Sequence, residues 1–176
     1  MAGRFRVVDT GVLEGRFNIA IDQAMIEEHQ AGRIPDTFRF MRFPPTALIG
    51  RHQALRQEVD VDHCRAHGIG IVRRITGGGA IYLDEGQLGW GLVFHRKALS
   101  ATCLAGLASD ICEAVAAGLR RLGVDARYRP RNDIEVDGRK ISGTGGFFDG
   151  DTLIYQGTVL VDMNPAAMVA ALRVPR

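Results

Sequence analysis

Residues 133–162 read DIEVDGRKISGTGGFFDGDTLIYQGTVLVD, and each of the two Asp-Gly pairs in this stretch separates two strand-like runs. Asp-Gly is favoured in two-residue hairpin turns because both central positions need a positive φ angle. Asp137-Gly138 therefore predicts a hairpin between strands 133–136 and 139–142. Asp149-Gly150 predicts a second hairpin, between strands 146–148 and 153–162. Strands joined by hairpins run antiparallel, so this half of the chain predicts an antiparallel or mixed sheet.

The rest of the chain alternates between strand and helix patterns. Strand patterns occur at 5–8, 37–43, 47–50, 69–75, 80–83 and 87–95. Helices are predicted to begin at residue types that cap helix N-termini, namely Asn18, Asp60, Ser100 and Asn164. These elements predict an α+β fold, with a mixed, largely antiparallel sheet and helices on one side.

The composition is that of a globular domain. Of the 176 residues, 46% are hydrophobic and 24% are charged, which excludes disordered, collagen-like and coiled-coil proteins. Apolar runs are too short for a membrane span, and residues 1–10 lack the apolar core of a signal peptide, so we expect a cytoplasmic protein that does not bind membranes. A net charge of +2 without interleaved basic and aromatic residues gives no indication of nucleic-acid binding.

Two glycine-rich segments follow strand-like runs and share one short pattern. RITGGG at 74–79 and KISGTG at 140–145 both read cation, Ile, hydroxyl, Gly, any residue, Gly. Glycines let consecutive backbone N–H groups turn towards an anion. Arg73 or Arg74 would add a planar fork of donors, and Lys140 a point charge. The two segments predict a site for two anionic groups or one extended ligand, such as a carboxylate being joined to a nucleotide phosphate. The alternative is that both are only tight turns.

Several motifs in the same order resemble a known family. RRITGGGAIY at 73–82, NDI at 132–134 and GRKISG at 138–143 resemble the catalytic domain of the lipoate–protein ligase A family, within the biotin/lipoate A/B protein ligase superfamily. The resemblance runs from about residue 15 to the end of the chain. Its further matches are FNIA at 17–20 with Asp22, IGR at 49–51 with Gln53, and QGTVL at 156–160.

This resemblance implies a fold like the catalytic core of biotin ligases and class II aminoacyl-tRNA synthetases. It implies an enzyme that uses ATP and Mg²⁺ to convert lipoate or octanoate to an acyl-adenylate. The acyl group then passes to a lysine of a lipoyl-domain protein, such as a dehydrogenase-complex acyltransferase subunit or the glycine cleavage H protein. The family also implies that residues 1–176 are the catalytic domain. Many members carry a small accessory domain, fused or as a separate chain, and nothing in this sequence resembles it. If the protein ends at Arg176, we expect a separate accessory subunit.

Candidate roles follow by position in the family's motifs. Lys140 matches the catalytic lysine, which binds the phosphate and acyl oxygens of the adenylate and neutralises charge that develops on them. Asn132 and Asp133 match the segment that faces the nucleotide and metal, and Asp133 is the candidate Mg²⁺ ligand. The other candidates for binding substrate or adenylate are Arg73, Arg74, Thr76, Gly77, Gly78, Gly79, Tyr82, Ser142, Gly143, Gln156, Gly157 and Thr158.

Two departures from the family's pattern bear on the acyl substrate. Leu83 and Gln156 stand where many members have histidine. Leucine is compatible with a longer or more apolar channel, and glutamine keeps a hydrogen-bond donor. The sequence therefore leaves the preferred acyl chain open.

Two other functions remain open. Related transferases move octanoyl or lipoyl groups through a cysteine thioester without ATP, and they carry that cysteine shortly before the Asp-Ile pair. Residues 128–132 contain no cysteine here, and Cys103 and Cys112 fall in a helical pattern typical of a core. The chain could also be a non-catalytic module that holds lipoate or lipoyl-adenylate for a partner.

Two patterns of charged or titratable residues could be either part of a functional site or simply solvent-exposed surface. His63 and His67 share a helix face, but no third metal ligand is near in sequence, which favours a solvated face. Arg127, Arg129 and Arg131 alternate along a strand. They are either a solvated edge or a patch for an acidic lipoyl domain or the phosphates of ATP.

Overall fold

The computed structural model describes residues 5–98 and 104–173. Its strands are β1 (Arg6–Val12), β2 (Thr37–Arg42), β3 (Thr46–Ile49), β4 (Gly70–Arg73), β5 (Ile81–Leu83), β6 (Gln87–His95), β7 (Arg127–Arg129), β8 (Asp133–Val136), β9 (Arg139–Asp149) and β10 (Thr152–Leu160). Its α-helices are α1 (Gly15–Gln30), α2 (Leu55–Glu58), α3 (Val61–Ala66), α4 (Leu104–Arg121) and α5 (Pro165–Ala171). The predicted cap Ser100 and the residue Cys103 lie outside the described residues.

Seven strands form the large sheet, in the order β1-β2-β6-β10-β9-β8-β7. β1 and β2 are parallel, and all other neighbours in this sheet are antiparallel. Both predicted hairpins are confirmed. Asp137 and Gly138, between β8 and β9, have φ angles of 50° and 72°, and Gly150, between β9 and β10, has a φ of 58°. The mixed, largely antiparallel α+β fold is therefore confirmed.

A second sheet contains three strands in the order β4-β3-β5. β3 is parallel to β4 and antiparallel to β5. Arg73 at the end of β4 pairs with Ile49, and Ile81 at the start of β5 pairs with Leu48, so both strands meet the same end of β3. The first glycine-rich segment, between β4 and β5, consequently spans that end of the small sheet.

The long helices cover opposite faces of the large sheet, which corrects the expectation that helices lie on one side. Val93 and Ile154 are register partners on β6 and β10, and both pack against α1. Their chain neighbours Phe94 and Leu153 are also register partners, and they pack against α4. Successive side chains of a strand point to opposite faces. β6 and β10 are apolar at odd and even positions alike, as a sheet covered on both faces requires.

The predicted helix starts are confirmed at two described positions and wrong at one. The carboxylate of Asp60 accepts from the backbone N–H of His63 at 2.9 Å, and the side chain of Asn164 caps α5. Asn18 lies inside α1 and is fully buried. Its Nδ2 donates to the carbonyls of Leu13 and Arg42, each at 2.9 Å, so this side chain fixes tertiary structure and does not cap the helix.

The described helices include none that is both long and apolar enough to cross a membrane.

Candidate active site

A cavity of about 540 Å³ lies between the two sheets. One wall comes from β5 and the first glycine-rich segment, and the opposite wall from β6, β9 and β10. Met168 of α5 and Leu172, which follows that helix, line it as well. The fold thus brings the two glycine-rich segments, far apart in sequence, to one cavity.

Most of the predicted site residues line this cavity. Those in the lining are Arg74, Thr76, Gly77, Gly78, Gly79, Tyr82, Asn132, Lys140, Ser142, Gly143, Gln156, Gly157 and Thr158. Arg73 and Asp133 are not in the lining, although each is the chain neighbour of a residue that is.

Lys140 is held at the cavity by an ion pair. Its Nζ lies 2.7 Å from Oδ1 of Asp133, and Oδ2 of Asp133 accepts from Nη2 of Arg129, also at 2.7 Å. Partial burial disfavours ionisation of Asp133, but the hydrogen bonds and charges of Lys140 and Arg129 outweigh it and lower the pKa of this carboxyl. Asp133 is therefore a carboxylate at neutral pH that fixes the lysine ammonium.

In this structure the carboxylate of Asp133 is engaged by cationic side chains and not free for Mg²⁺. Both carboxylate oxygens of Asp133 are engaged by cations. No group of three or more His, Cys, Asp or Glu residues that could hold a metal occurs among the described parts of the chain. A Mg²⁺ ligand role for Asp133 stays a prediction, and no chemical step below depends on it.

Arg129 is expected to position Lys140 through Asp133. Arg129→Ala should lower any activity that depends on Lys140 about three- to tenfold, because Asp133 loses one of its two cations and the ion pair with Lys140 loses its fixed geometry. Arg127→Ala is the matched control: it removes an exposed arginine on the same strand face, paired with Asp125 and not with the site. Steady-state kinetics of both variants test this. Equal activity of the two variants would show that Arg129 has no positioning role.

Arg74 shapes the first glycine-rich segment. Its Nη2 donates to the carbonyls of Gly77 and Gly79, at 2.7 and 2.8 Å, and its Nη1 donates to the carbonyl of Leu48 at 3.3 Å. Between the two glycine carbonyls, Gly78 has a φ of 95°, which L side chains rarely adopt. Burial lowers the pKa of Arg74. Arg74 thus holds the loop in shape, and a contact of its guanidinium with an anion stays a prediction.

Arg73 supports the neighbouring loop. Its Nη1 donates to the carbonyls of Gly50, Arg51 and Gln53, at 2.9, 3.1 and 2.8 Å. This side chain therefore stabilises the turn after β3. A direct contact between Arg73 and the ligand also stays a prediction.

Asn132 is fastened to β9 through Thr144. The backbone N–H and the hydroxyl of Thr144 donate to the carbonyl of Asn132, at 3.0 and 2.9 Å, and Nδ2 of Asn132 donates to the carbonyl of Thr144. The Thr144 oxygen also lies 2.7 Å from the hydroxyl of Tyr155. Thr144 was not predicted as a site residue, but it lines the cavity and fixes the side chain of Asn132.

A buried polar network lies behind the cavity wall formed by Gln156. Nε2 of Gln156 donates to Oδ2 of Asp22 at 2.6 Å, and Nη1 of Arg39 donates to Oδ1 at 2.7 Å. Burial raises the pKa of Asp22 to about 6, although Arg39 and Gln156 both act to lower it. Asp22 lines the cavity and was not predicted as a site residue. Two features of the sequence could have identified Asp22: it is a carboxylate on a largely apolar helix face, and it lies within the matched motif at 17–22.

The part of the cavity next to α5 is apolar. Its lining there consists of Tyr82, Leu83, Leu160, Met163, Met168 and Leu172. Gly157 keeps β10 close to its neighbour strand, because a Cβ at this position would collide with the indole of Trp90. The cavity is therefore lined both by polar groups, at Lys140 and the glycine-rich segments, and by apolar side chains beside α5.

The described cysteines are sealed from this cavity. Cys64 packs in the core under the small sheet, and its Sγ contacts the carbonyl of Ala171 at 3.8 Å. Cys112 lies in α4, behind Thr144. Both are fully buried, and burial raises the pKa of both thiols, which disfavours the thiolate. The predicted core role of Cys112 is confirmed.

The contacts of the two charged patterns give no support for a metal site or for an unpaired cationic patch among the described residues. His63 and His67 stack with ring centroids 4.0 Å apart on α3, with no third ligand in the described chain. Arg127 pairs with Asp125, and Arg129 pairs with Asp133 and Glu135. Acidic neighbours thus neutralise these two arginines, which favours a solvated edge over a patch for acidic partners.

Proteins of similar fold and sequence include octanoyltransferases and lipoate-protein ligases. Octanoyltransferase LipM of Moorella thermoacetica is 29% identical over 99% of this chain and 71% of its own length. A bipartite lipoate protein ligase from Thermoplasma acidophilum, solved in a study that includes its E2 lipoyl domain, has a TM-score of 0.87 and 28% identity over 99% of this chain and 68% of that one. A lipoate-protein ligase A solved with ATP bound has a TM-score of 0.86 and 30% identity, over 99% of this chain and 73% of that one.

The architecture and the cavity define the catalytic fold of lipoate and biotin protein ligases. A biotin protein ligase from Aquifex aeolicus, at 12% identity and a TM-score of 0.51, shares this fold alone, over 98% of this chain and 54% of that one. The model of the lipoyl protein ligase A/B catalytic domain matches residues 14–176, and the chain belongs to this family. It is thus an enzyme of the lipoate ligase and octanoyltransferase family, as the sequence resemblance implied.

Proposed function

We propose that this chain is the catalytic part of an ATP-dependent lipoate–protein ligase. It joins the carboxylate of lipoate or octanoate to the α-phosphate of ATP, releases pyrophosphate, and passes the acyl group to a lysine of a lipoyl domain. The main support is the position of Lys140, whose ammonium is fixed by Asp133 at a cavity that also has an apolar lining.

Lys140 would act on charge in both half-reactions. In the first, a carboxylate oxygen attacks the α-phosphorus and pyrophosphate leaves. In the second, the acceptor amine attacks the acyl carbonyl and AMP leaves. Negative charge builds up on phosphate or carbonyl oxygens in each transition state. An ammonium that is already held in position stabilises that charge without reorganising.

The cavity walls suit the other parts of an acyl-adenylate. The backbone of Gly77, Gly78 and Gly79 and of the β9 glycines Gly143 and Gly145 lets a ligand approach closely, since no side chain intervenes. The apolar lining beside α5 suits the acyl chain.

The partners follow from the proposed reaction. The second substrate is a lipoyl-domain protein, and the adenylation step would use a separate accessory subunit. The bipartite archaeal relative supports both proposals, as its study describes a two-part ligase together with a lipoyl domain.

A second candidate is an ATP-independent octanoyltransferase that works through a cysteine thioester. The identity with LipM favours it. The full burial of Cys64 and Cys112 argues against it, because a thioester needs an acyl donor to reach the sulfur.

The two candidate functions use different sources of the acyl group: free lipoate with ATP for the ligase, and an acyl thioester for the transferase. The chain, with and without a candidate accessory subunit, is mixed with a lipoyl domain in two reactions: lipoate plus ATP, and an octanoyl thioester without ATP. The ligase predicts lipoate-dependent release of pyrophosphate and modification in the first reaction only. Modification in the thioester reaction alone would contradict the proposal.

A further inference from the structure

The amide of Gln156 presents its oxygen, and not its NH₂ group, to the cavity. Nε2 of Gln156 donates to Oδ2 of Asp22 at 2.6 Å, and Oδ1 of Asp22 is held by Nη1 of Arg39. Oε1 of Gln156 has no hydrogen-bond partner among the described residues, and it is not one of their buried atoms that lack a partner. Because Gln156 lines the cavity, this oxygen is open to it. The donor that the sequence predicted for this glutamine is therefore used within the protein.

Asp22 fixes this orientation of the amide. Above its pKa of about 6, Asp22 is a carboxylate, which accepts hydrogen bonds and donates none. It is 3% exposed, and its other oxygen is paired with the fully buried cation of Arg39. Turning the Gln156 amide over would place two oxygens against each other with no donor between them. The oxygen of Gln156 therefore stays on the cavity side.

An open strip of backbone leads from Lys140 to Gln156. A Cβ on Gly143 would lie 3.0 Å from Nζ of Lys140, so the ammonium lies over Gly143. Gly145, two residues further along β9, points to the same face, and a Cβ there would have nothing within 4 Å. Gln156 is the register partner of Gly145 on the neighbouring strand, and opposed residues share a face. No side chain of this strip thus separates the ammonium from Gln156.

The length of this strip matches a medium-length acid. At about 3.4 Å per residue and about 4.8 Å between strands, the Cα atoms of Gly143 and Gln156 lie about 8 Å apart. This is close to the distance from the carboxylate of octanoate to its last carbons. Ile19 and Met41 also line the cavity, and Met41 lies beside Gly91, the other register partner of Gln156. A carbon chain on the strip would therefore meet apolar side chains, and its far end would meet one acceptor.

We propose that Gln156 selects the acyl chain by accepting a hydrogen bond from its far end. The inference rests on the proposed function and names its substrate class: a medium-length acid with a thiol or hydroxyl donor near the end remote from the carboxylate. The reduced, dithiol form of lipoate has such donors, whereas the disulfide form and octanoate have none. A site with a built-in acceptor discriminates against ligands that leave this acceptor unpaired.

Binding of four acids without ATP tests this selection. Calorimetry would give the dissociation constants of lipoate in its disulfide and dithiol forms, of octanoate and of 8-hydroxyoctanoate, which differs from octanoate by one hydroxyl. The variant is Gln156→Met, which keeps an unbranched side chain of similar length and replaces the amide by a thioether, a weak acceptor. Gln57→Met, on the exposed surface of α2, is the matched control.

Gln156→Met should reduce the preference for 8-hydroxyoctanoate over octanoate by about tenfold, since the bound hydroxyl loses its acceptor. The preference for the dithiol over the disulfide form of lipoate should fall by about threefold, because a thiol is a weaker donor than a hydroxyl. Gln57→Met should change neither preference.

Asp22→Asn tests the orientation of the amide itself. An asparagine that keeps its oxygen on Arg39 turns its NH₂ group towards Gln156, so the Gln156 amide should turn over and present its own NH₂ group to the cavity. The affinity for 7-oxooctanoate, whose ketone is an acceptor, should then rise about tenfold relative to that for 8-hydroxyoctanoate. If loss of the buried ion pair unfolds this variant, the result for Gln156→Met decides alone.

Unchanged preferences in Gln156→Met, or an equal loss of affinity for all four acids, would overturn the inference. So would a folded Asp22→Asn variant with the preferences of the wild type. Each of these results would leave the ligase proposal intact, because the acyl chain would then lie elsewhere in the cavity, as beside α5. If none of the four acids bound the wild-type chain, the proposed function itself would be contradicted, and the inference with it.

Discussion

Replacement of Lys140 by alanine is expected to reduce ligation by a factor of about 100 to 1,000, the usual effect of removing one group that stabilises charge in a transition state. The ammonium of Lys140 lines the cavity and is fixed 2.7 Å from Asp133. Alanine removes that charge and leaves Asp133 with Arg129 as its cation. Most of the loss should appear in kcat, because the charge that Lys140 stabilises develops during the reaction.

The chain supplies a matched control for this variant. Lys97 is its other lysine, and it is exposed in the short 3₁₀ turn after β6. Lys97→Ala should retain full activity, and circular dichroism should be unchanged in both variants. Ligation by Lys140→Ala within a few-fold of wild type would remove Lys140 from the chemistry.

Replacement of Arg39 by leucine is expected to lower the free energy of unfolding by about 3–5 kcal/mol, the usual cost of breaking a buried ion pair from one side. Arg39 is fully buried, and its guanidinium donates to Asp22, Asn18 and Thr10. Without it, the Asp22 carboxyl loses the charge that lowers its pKa, so its pKa should rise further above 6. Denaturant unfolding measures the loss of stability.

Arg42→Leu is the control for the stability measurement. Arg42 ends the same strand, but its side chain is exposed, so its loss should change the free energy of unfolding by less than about 0.5 kcal/mol. Equal stability of Arg39→Leu and Arg42→Leu would mean that the buried network contributes nothing measurable. Because Asp22 also accepts from Gln156, Arg39→Leu should weaken acid binding as well as stability.

Local turn chemistry predicted much of the fold. The Asp-Gly pairs correctly predicted both hairpins, because the positive φ angles of such a turn depend only on its two central residues. Asn18 was wrongly predicted as a helix cap because its role depends on tertiary structure. Its side chain donates to the carbonyl of Leu13, before the helix, and to that of Arg42, 24 residues further along the chain. The helices were predicted on one face because nothing in the apolar strands β6 and β10 indicates which helix packs against which side.

The part of the candidate site that the two glycine-rich segments form was predictable from the sequence. Lys140 and Gly77, Gly78 and Gly79 were found from their spacing and the family resemblance. The spacing of these residues did not indicate that the guanidinium of Arg74 donates hydrogen bonds to carbonyls of its own loop, those of Gly77 and Gly79.

In the proposed reaction the acyl group is activated as an adenylate and is never attached to a cysteine. Mass spectrometry tests this on the chain and its accessory subunit in two quenched reactions without acceptor, one with lipoate and ATP and one with an octanoyl thioester and no ATP. We expect unmodified cysteines in both reactions and lipoyl-adenylate in the small-molecule fraction of the first. A lipoyl or octanoyl thioester on Cys64, Cys103 or Cys112 in either reaction would contradict the proposal.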